Sequence, residues 1–355
     1  MLNYESDIAN IGEPADAAEI IARARELDEK SVFLEGLSER LNFLGVTCTP
    51  DDRELMLDEI KRRYKSVLGI SCPRTVVEWV RGTVPSASNR RNNYELCMAL
   101  EMDFEQTADF FKRYFLTLPW GCKSRIDAVF LYCIYHRKPY TLAAKMLEES
   151  KGFVPQENAQ TATAQIFQTI LSTDDDAAFM DYLSLHCYGN EQQFQTARAK
   201  IIEETELAKQ HILDEDFDGK LTSERLNSAL LGTILGYRYQ PDRDSDFLHD
   251  LPKRYTESLP NDVTLGKILN GEKASYETLR KTLMLLKFYN FYIDDVNDEE
   301  SIKSNYSDFY AELNSVLDNC GFAPIWLGHP FDHIILGCTN TLEPIVTLYD
   351  VNERN

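Results

Sequence analysis

Eight cationic side chains crowd the stretch from Glu59 to Glu95: Lys61, Arg62, Arg63, Lys65, Arg74, Arg81, Arg90 and Arg91, against three glutamates. Guanidinium and ammonium groups gathered in this way are what neutralising a row of phosphates requires. The setting sharpens the point. The 355-residue chain has 58 Asp and Glu against 37 Lys and Arg, a formal charge of -21. That balance opposes indiscriminate attraction to polyanions or anionic lipid, so any polyanion must be met by a local basic face.

Other residues invite chemistry at the level of spacing. DEDFDGKLTSER begins as a calcium loop does, with Asp214, Asp216, Asp218 and the turn-making Gly219 at ligand intervals. Its twelfth position, which should supply a bidentate carboxylate, is Arg225, so an acidic loop capping a helix is the plainer reading. IDDVND, residues 293 to 298, has the spacing of the paired carboxylates that hold magnesium against diphosphate, but no twin of it occurs elsewhere. His329 and His333 stand four apart with Asp332 beside them and no third ligand in view. Eight cysteines are scattered without metal-ligand pairing and read as reduced thiols. Phosphate-loop, dinucleotide-loop, nucleophile-elbow and zinc-helix motifs are missing from the sequence, so neither an enzyme nor a cofactor is expected.

The elements that must position these residues are helices. Apolar residues recur at helical spacing in SRIDAVFLYCIY, FQTARAKIIEETELAKQHIL and YETLRKTLMLLKFYNFYI, with Pro and Gly between segments. The expected fold is all-α. No apolar run reaches the roughly 18 residues that cross a bilayer. The opening MLNYESDIANIGEP is too polar and acidic for a signal peptide, so a cytoplasmic protein with no membrane partner is expected.

An internal repeat organises the chain. Gly82, Ser86, Arg91 and Leu96 recur as Gly271, Ser275, Arg280 and Leu285, each 189 positions on. Asp127, Leu131, Cys133 and Pro139 recur as Asp332, Leu336, Cys338 and Pro344, each 205 positions on. The plan is a short helix ending at a glycine turn, a longer helix, another helix, a Trp-containing loop and a final apolar helix. Four segments follow: an N-terminal helical segment (1–50), a first unit (51–150), an acidic helical connector (151–250) and a second, degenerate unit (251–355).

The stretch LGISCPRTVVEWVRGTVPSASNRRNNYELCMALEMDFEQT resembles the Cro/repressor-like helix-turn-helix family. Leu68-Gly69-Ile70-Ser71 is similar to its turn, Trp79-Arg81-Gly82 to the end of its recognition helix, and Pro85-Ser86 to the opening of its next helix. Leu96, Ala99, Leu100 and Glu105 match the helix pair that follows. The resemblance covers residues 51 to 118, with a weaker echo at 253 to 320. It implies regulatory binding of double-stranded DNA. Lys61, Arg62, Arg63, Lys65, Asn89, Arg90 and Arg91 would then hold the backbone, while Arg74, Thr75, Glu78 and Arg81 lie along the reading helix. The alternative, from a different class, is a non-enzymatic interaction scaffold on degenerate helix-turn-helix repeats, with a protein partner met through the acidic surface.

Overall fold

The computed structural model describes residues 16–30, 32–86, 89–153, 163–214, 222–226, 229–236, 251–293, 297–298 and 300–353. Among these the chain is helical, and its only β pairing is an isolated bridge between Ser124 and Tyr188. It divides into two compact units. The first comprises Lys30–Gln193 with Gly321–Ala323; the second comprises Met1–Glu29, Phe194–Cys320 and Pro324–Asn355. The division cuts across the four segments expected from sequence: the N-terminal helix α1 (Ala17–Lys30) goes with the second unit, and the acidic connector is split near residue 193.

The first unit contains α2 (Phe33–Phe43), α3 (Arg53–Arg63), α4 (Arg74–Val80), α5 (Arg90–Ala99), α6 (Phe104–Phe110), α7 (Arg125–Tyr135), α8 (Tyr140–Glu149), α9 (Thr163–Ser172) and α10 (Asp176–His186). Apolar content decides which helix is central. Every residue of α7 from Asp127 to Ile134 is buried, as expected of a helix apolar all round. Around it, Trp79 of α4 meets Phe33 and Phe115 at ring-centroid distances of 6.1 and 6.0 Å. Tyr114 lies against α2 at Gly36, where a Cβ would sit 2.2 Å from the ring. Helices α3 and α6 each run on into a wide π turn, Tyr64–Leu68 and Phe111–Phe115, and each closes on a left-handed residue, Gly69 or Leu116. Asp103 and Gln106 start α6 with reciprocal caps.

The second unit contains α1, the long α11 (Asn190–Asp214) from Phe194 onward, α12 (Ser223–Leu226), α13 (Leu230–Ile234), α14 (Lys253–Thr256), α15 (Asp262–Leu269), α16 (Tyr276–Tyr292), α17 (Ile302–Asn319), α18 (Pro330–Thr339) and α19 (Pro344–Glu353). Helix α16 takes the central place, with Leu279, Leu283, Met284, Leu285, Leu286 and Phe288 buried. Side-chain oxygens of Asn261 and Ser275 cap α15 and α16, and Pro330 occupies the first turn of α18. Lys281 donates from Nζ to the carbonyls of Arg254, Tyr255 and Glu257 at 2.7, 3.0 and 2.6 Å, closing the C-terminal end of α14.

Both units repeat three local devices. The short helices α4 and α15 end on glycines with φ of 111° at Gly82 and 86° at Gly271, and the residue after each glycine bonds back five positions. An arginine from elsewhere in the same unit caps the last carbonyls: Arg53 on Arg81, and Arg198 on Ile268 and Leu269. The third device is a buried ion pair. Arg90 grips Asp127 through Nε and Nη2, and Arg280 grips Asp332 through Nη1 and Nη2. Each aspartate also accepts from a loop amide six residues earlier, Gly121 at 3.0 Å or Trp326 at 2.9 Å. The equivalence read from sequence therefore needs a one-residue correction: Arg90, not Arg91, corresponds to Arg280. Arg90 points inward and Arg91 outward, because neighbours on a helix are about 100° apart.

Candidate nucleic-acid interface

Helix α3, the Gly69 turn and α4 occupy the stretch where a helix-turn-helix is expected. The turn runs from Gly69 to Pro73, with Gly69 at φ 74° and Pro73 directly before α4. Val76, Trp79 and Val80 bury the inner face of α4, which fixes the outward direction of its remaining side chains. Arg74 is 93% exposed, Arg81 is exposed, and Thr75 and Glu78 are half-buried. This face is not purely cationic, since Glu78 lies 3.8 Å from Arg74 and 3.6 Å from Arg81.

Carboxylates engage most of the other cations. Arg62 forms a fork with Glu59 at 2.7 and 2.5 Å, and Arg63 spans Glu59 and Glu101 at 2.8 Å each. The bonds from Arg62, with Arg63 adding to them, hold the Glu59 carboxyl below its ordinary value despite its burial. Arg63 is itself buried, which opposes the phosphate role expected for it. Lys61 is half-exposed with Asp58 3.9 Å away, and Lys65 is exposed.

Arg90 departs furthest from expectation. It is 5% exposed and, besides Asp127, it donates to the Leu118 carbonyl at 2.9 Å and reaches Tyr94 Oη. Withdrawing it to hold a phosphate would strand Asp127 in the core, which opposes its backbone-gripping role as well. Arg91 does face outward but bonds Glu95 at 2.8 Å and Tyr140 Oη at 3.1 Å. Asn89 stands at the start of α5 without a capping bond from its side chain. The helix begins at Arg90, so Asn89, Arg90 and Arg91 do stand at a helix start, four residues beyond the Pro85-Ser86 match.

The corresponding helix of the second unit, α15, presents Val263, Thr264, Lys267 and Asn270 where α4 has Arg74, Thr75, Glu78 and Arg81. Val263 is 68% exposed, so an apolar side chain stands in the place of the most exposed arginine.

The weaker candidates are dispersed. Asp214 ends α11 and accepts from Gln210, whereas Asp216 and Asp218 lie outside the described residues. Asp294 and Asp295 lie outside them too. Asn297 is buried and bonds the carbonyls of Thr339 and Thr341, while Asp298 caps the turn at Ser301. His329 precedes α18 with Nδ1 3.4 Å from Asp332, and burial lowers the pKa of His333. Among the described residues, no group of three or more His, Cys, Asp or Glu is placed to hold a metal ion, and no helix is long and apolar enough to cross a membrane. Seven cysteines are buried and Cys72 is half-buried, all as free thiols.

The cations' partners escape a reading of composition alone. Glu59, Glu78 and Glu95 stand at helical intervals of three or four from their arginines, a signal in the sequence that could have found them. Asp127, 37 positions from Arg90, is paired with it by packing that no local spacing signals. No family model matches the chain, and neither a curated protein nor a solved structure is significantly similar to it.

Proposed function

We propose that the protein is a non-enzymatic protein-interaction scaffold built on two divergent helix-turn-helix-like units. The observation that carries this reading is the fate of the cations: Arg63 and Arg90 are buried on carboxylates, and Arg62, Arg74, Arg81 and Arg91 each have one within 4 Å. Charge distribution adds support. By sequence, the first unit has 22 Asp and Glu against 19 Lys and Arg, a formal -3, and the second has 36 against 18, a formal -18. The second unit repels phosphate and favours a partner with a basic surface.

Regulatory DNA binding is the second reading, favoured by the exposure of Lys65 and Arg74 and by the length of the Glu78 contacts, which exposed pairs exchange at little cost. Fluorescence anisotropy against random duplex at low salt separates the two. The scaffold reading expects no saturable binding. Five phosphate contacts, from Lys61, Arg62, Lys65, Arg74 and Arg81, would instead give a log–log salt slope of about -4.5. Binding with such a slope, weakened by Arg74→Ala, would overturn the scaffold reading.

A further inference from the structure

Helix α1 reaches the second unit from the opposite end of the sequence. Its buried positions are Ala17, Ile20, Ile21 and Ala24, a stripe at intervals of three and four, with Asp28 one turn beyond on the same side. Two features of the unit receive that stripe. Gly337, within α18, leaves a notch: a Cβ there would stand 3.0 Å from Ile20, a tight contact that the isoleucine would have to shift to admit. Arg254 of α14, 5% exposed, donates to Asp28 at 2.5 Å across 226 positions of sequence. A cation beside an apolar notch asks any occupant for a carboxylate at that point. The four apolar side chains are small or medium-sized, so a 14-residue helix is fastened by little apolar area for the chain entropy it gives up.

We propose that the surface formed by Gly337 and Arg254 is a helix-acceptor groove, that α1 is its resident occupant, and that an amphipathic helix of a partner protein displaces it. The partner helix has an Ala/Ile stripe, one carboxylate placed for Arg254 and a basic outer face suited to the -18 of this unit. For its partner the inference rests on the scaffold reading. The two fail separately, since duplex binding would remove that reading without touching the peptide result below.

The probe is a fluorescent peptide of residues 16–30, titrated into the full-length protein and two variants. Ile20→Asp disables the resident helix and leaves the notch open; Gly337→Leu fills the notch. The expected result is saturable binding to the Ile20→Asp protein, at least tenfold weaker binding to wild type, and none to Gly337→Leu. Equal binding to all three, or to none, overturns the groove. Hydrogen exchange on the wild type gives a readout independent of variant folding. The α1 amides should exchange at least a hundredfold faster than those of α16 and α18, and exchange at the same rate as those helices overturns the claim that the occupant leaves.

Discussion

Arg90 shows how one side chain decides between two functions. A guanidinium beside exposed arginines reads as a phosphate contact, yet this one is buried on Asp127 with its remaining donors on Leu118 and Tyr94. Breaking a buried pair by removing one partner leaves an uncompensated charge, so Arg90→Ala should cost about 3–5 kcal/mol in urea unfolding. The double change Arg90→Met with Asp127→Leu should cost less than either single change, and a double mutant as costly as the sum would refute the coupling. The matching pair in the second unit has a pH signature. Burial alone would raise the Asp332 carboxyl, but Arg280, joined by His329, outweighs it and holds the group well below the usual carboxylate range. Its folded pKa is depressed, so the stability it contributes is present above about pH 4 and is lost as pH falls below that. Trp326, the only tryptophan of that unit, reports the transition. Asp332→Asn should flatten the acid limb of its fluorescence titration, and an unchanged limb would assign acid sensitivity to other groups.

At the scale of elements, two glycines of one short helix should respond in opposite directions. Gly266 lies inside α15 with open space beyond its own helix where a Cβ would stand, so Gly266→Ala should stabilise the second unit by about 1 kcal/mol. Gly271 ends the same helix at φ 86°, where an L side chain is strained even in open space, and Gly271→Ala should cost about 1–2 kcal/mol. Thermal unfolding followed at Trp326 should give shifts of opposite sign; equal signs would mean that the helix end is not fixed by its left-handed residue. This contrast also marks what is legible in the sequence. The turns at Gly69, Gly82 and Gly271 can be read because few residues but glycine tolerate a positive φ. The start of α5 is legible at Asn89, although Ser86 also suits the position before a helix, but only packing sets the direction of Arg90. That direction separates a surface cation from a core one. A spacing match slipped by a single residue therefore assigns the wrong arginine to the repeat.

The whole molecule is less legible than its parts. Helical periodicity is strong enough in α7, α11 and α16 to fix the all-helical class, but nothing local in Ala17–Lys30 announces that it packs on helices from the far end of the chain. Ile20 against Gly337 and Asp28 against Arg254 are long-range pairs, and periodicity carries no information about which faces meet. The same division redistributes charge, with consequences for stability. A formal -18 on the second unit means that like charges repel on balance even though Glu203, Glu206 and Glu312 each pair with a lysine, whereas the first unit at -3 is close to balance. Raising ionic strength from 0.1 to 1 M shortens the screening length from about 10 to about 3 Å, which removes most of that repulsion. Hydrogen exchange resolved by segment should therefore show protection in α16 and α17 rising with sodium chloride, while protection in α5 and α7 changes little. Equal gains in both units would indicate a general salt effect on apolar burial, and a loss in the second unit would mean that its ion pairs, Arg280–Asp332 and Lys287–Glu312 among them, outweigh its net charge.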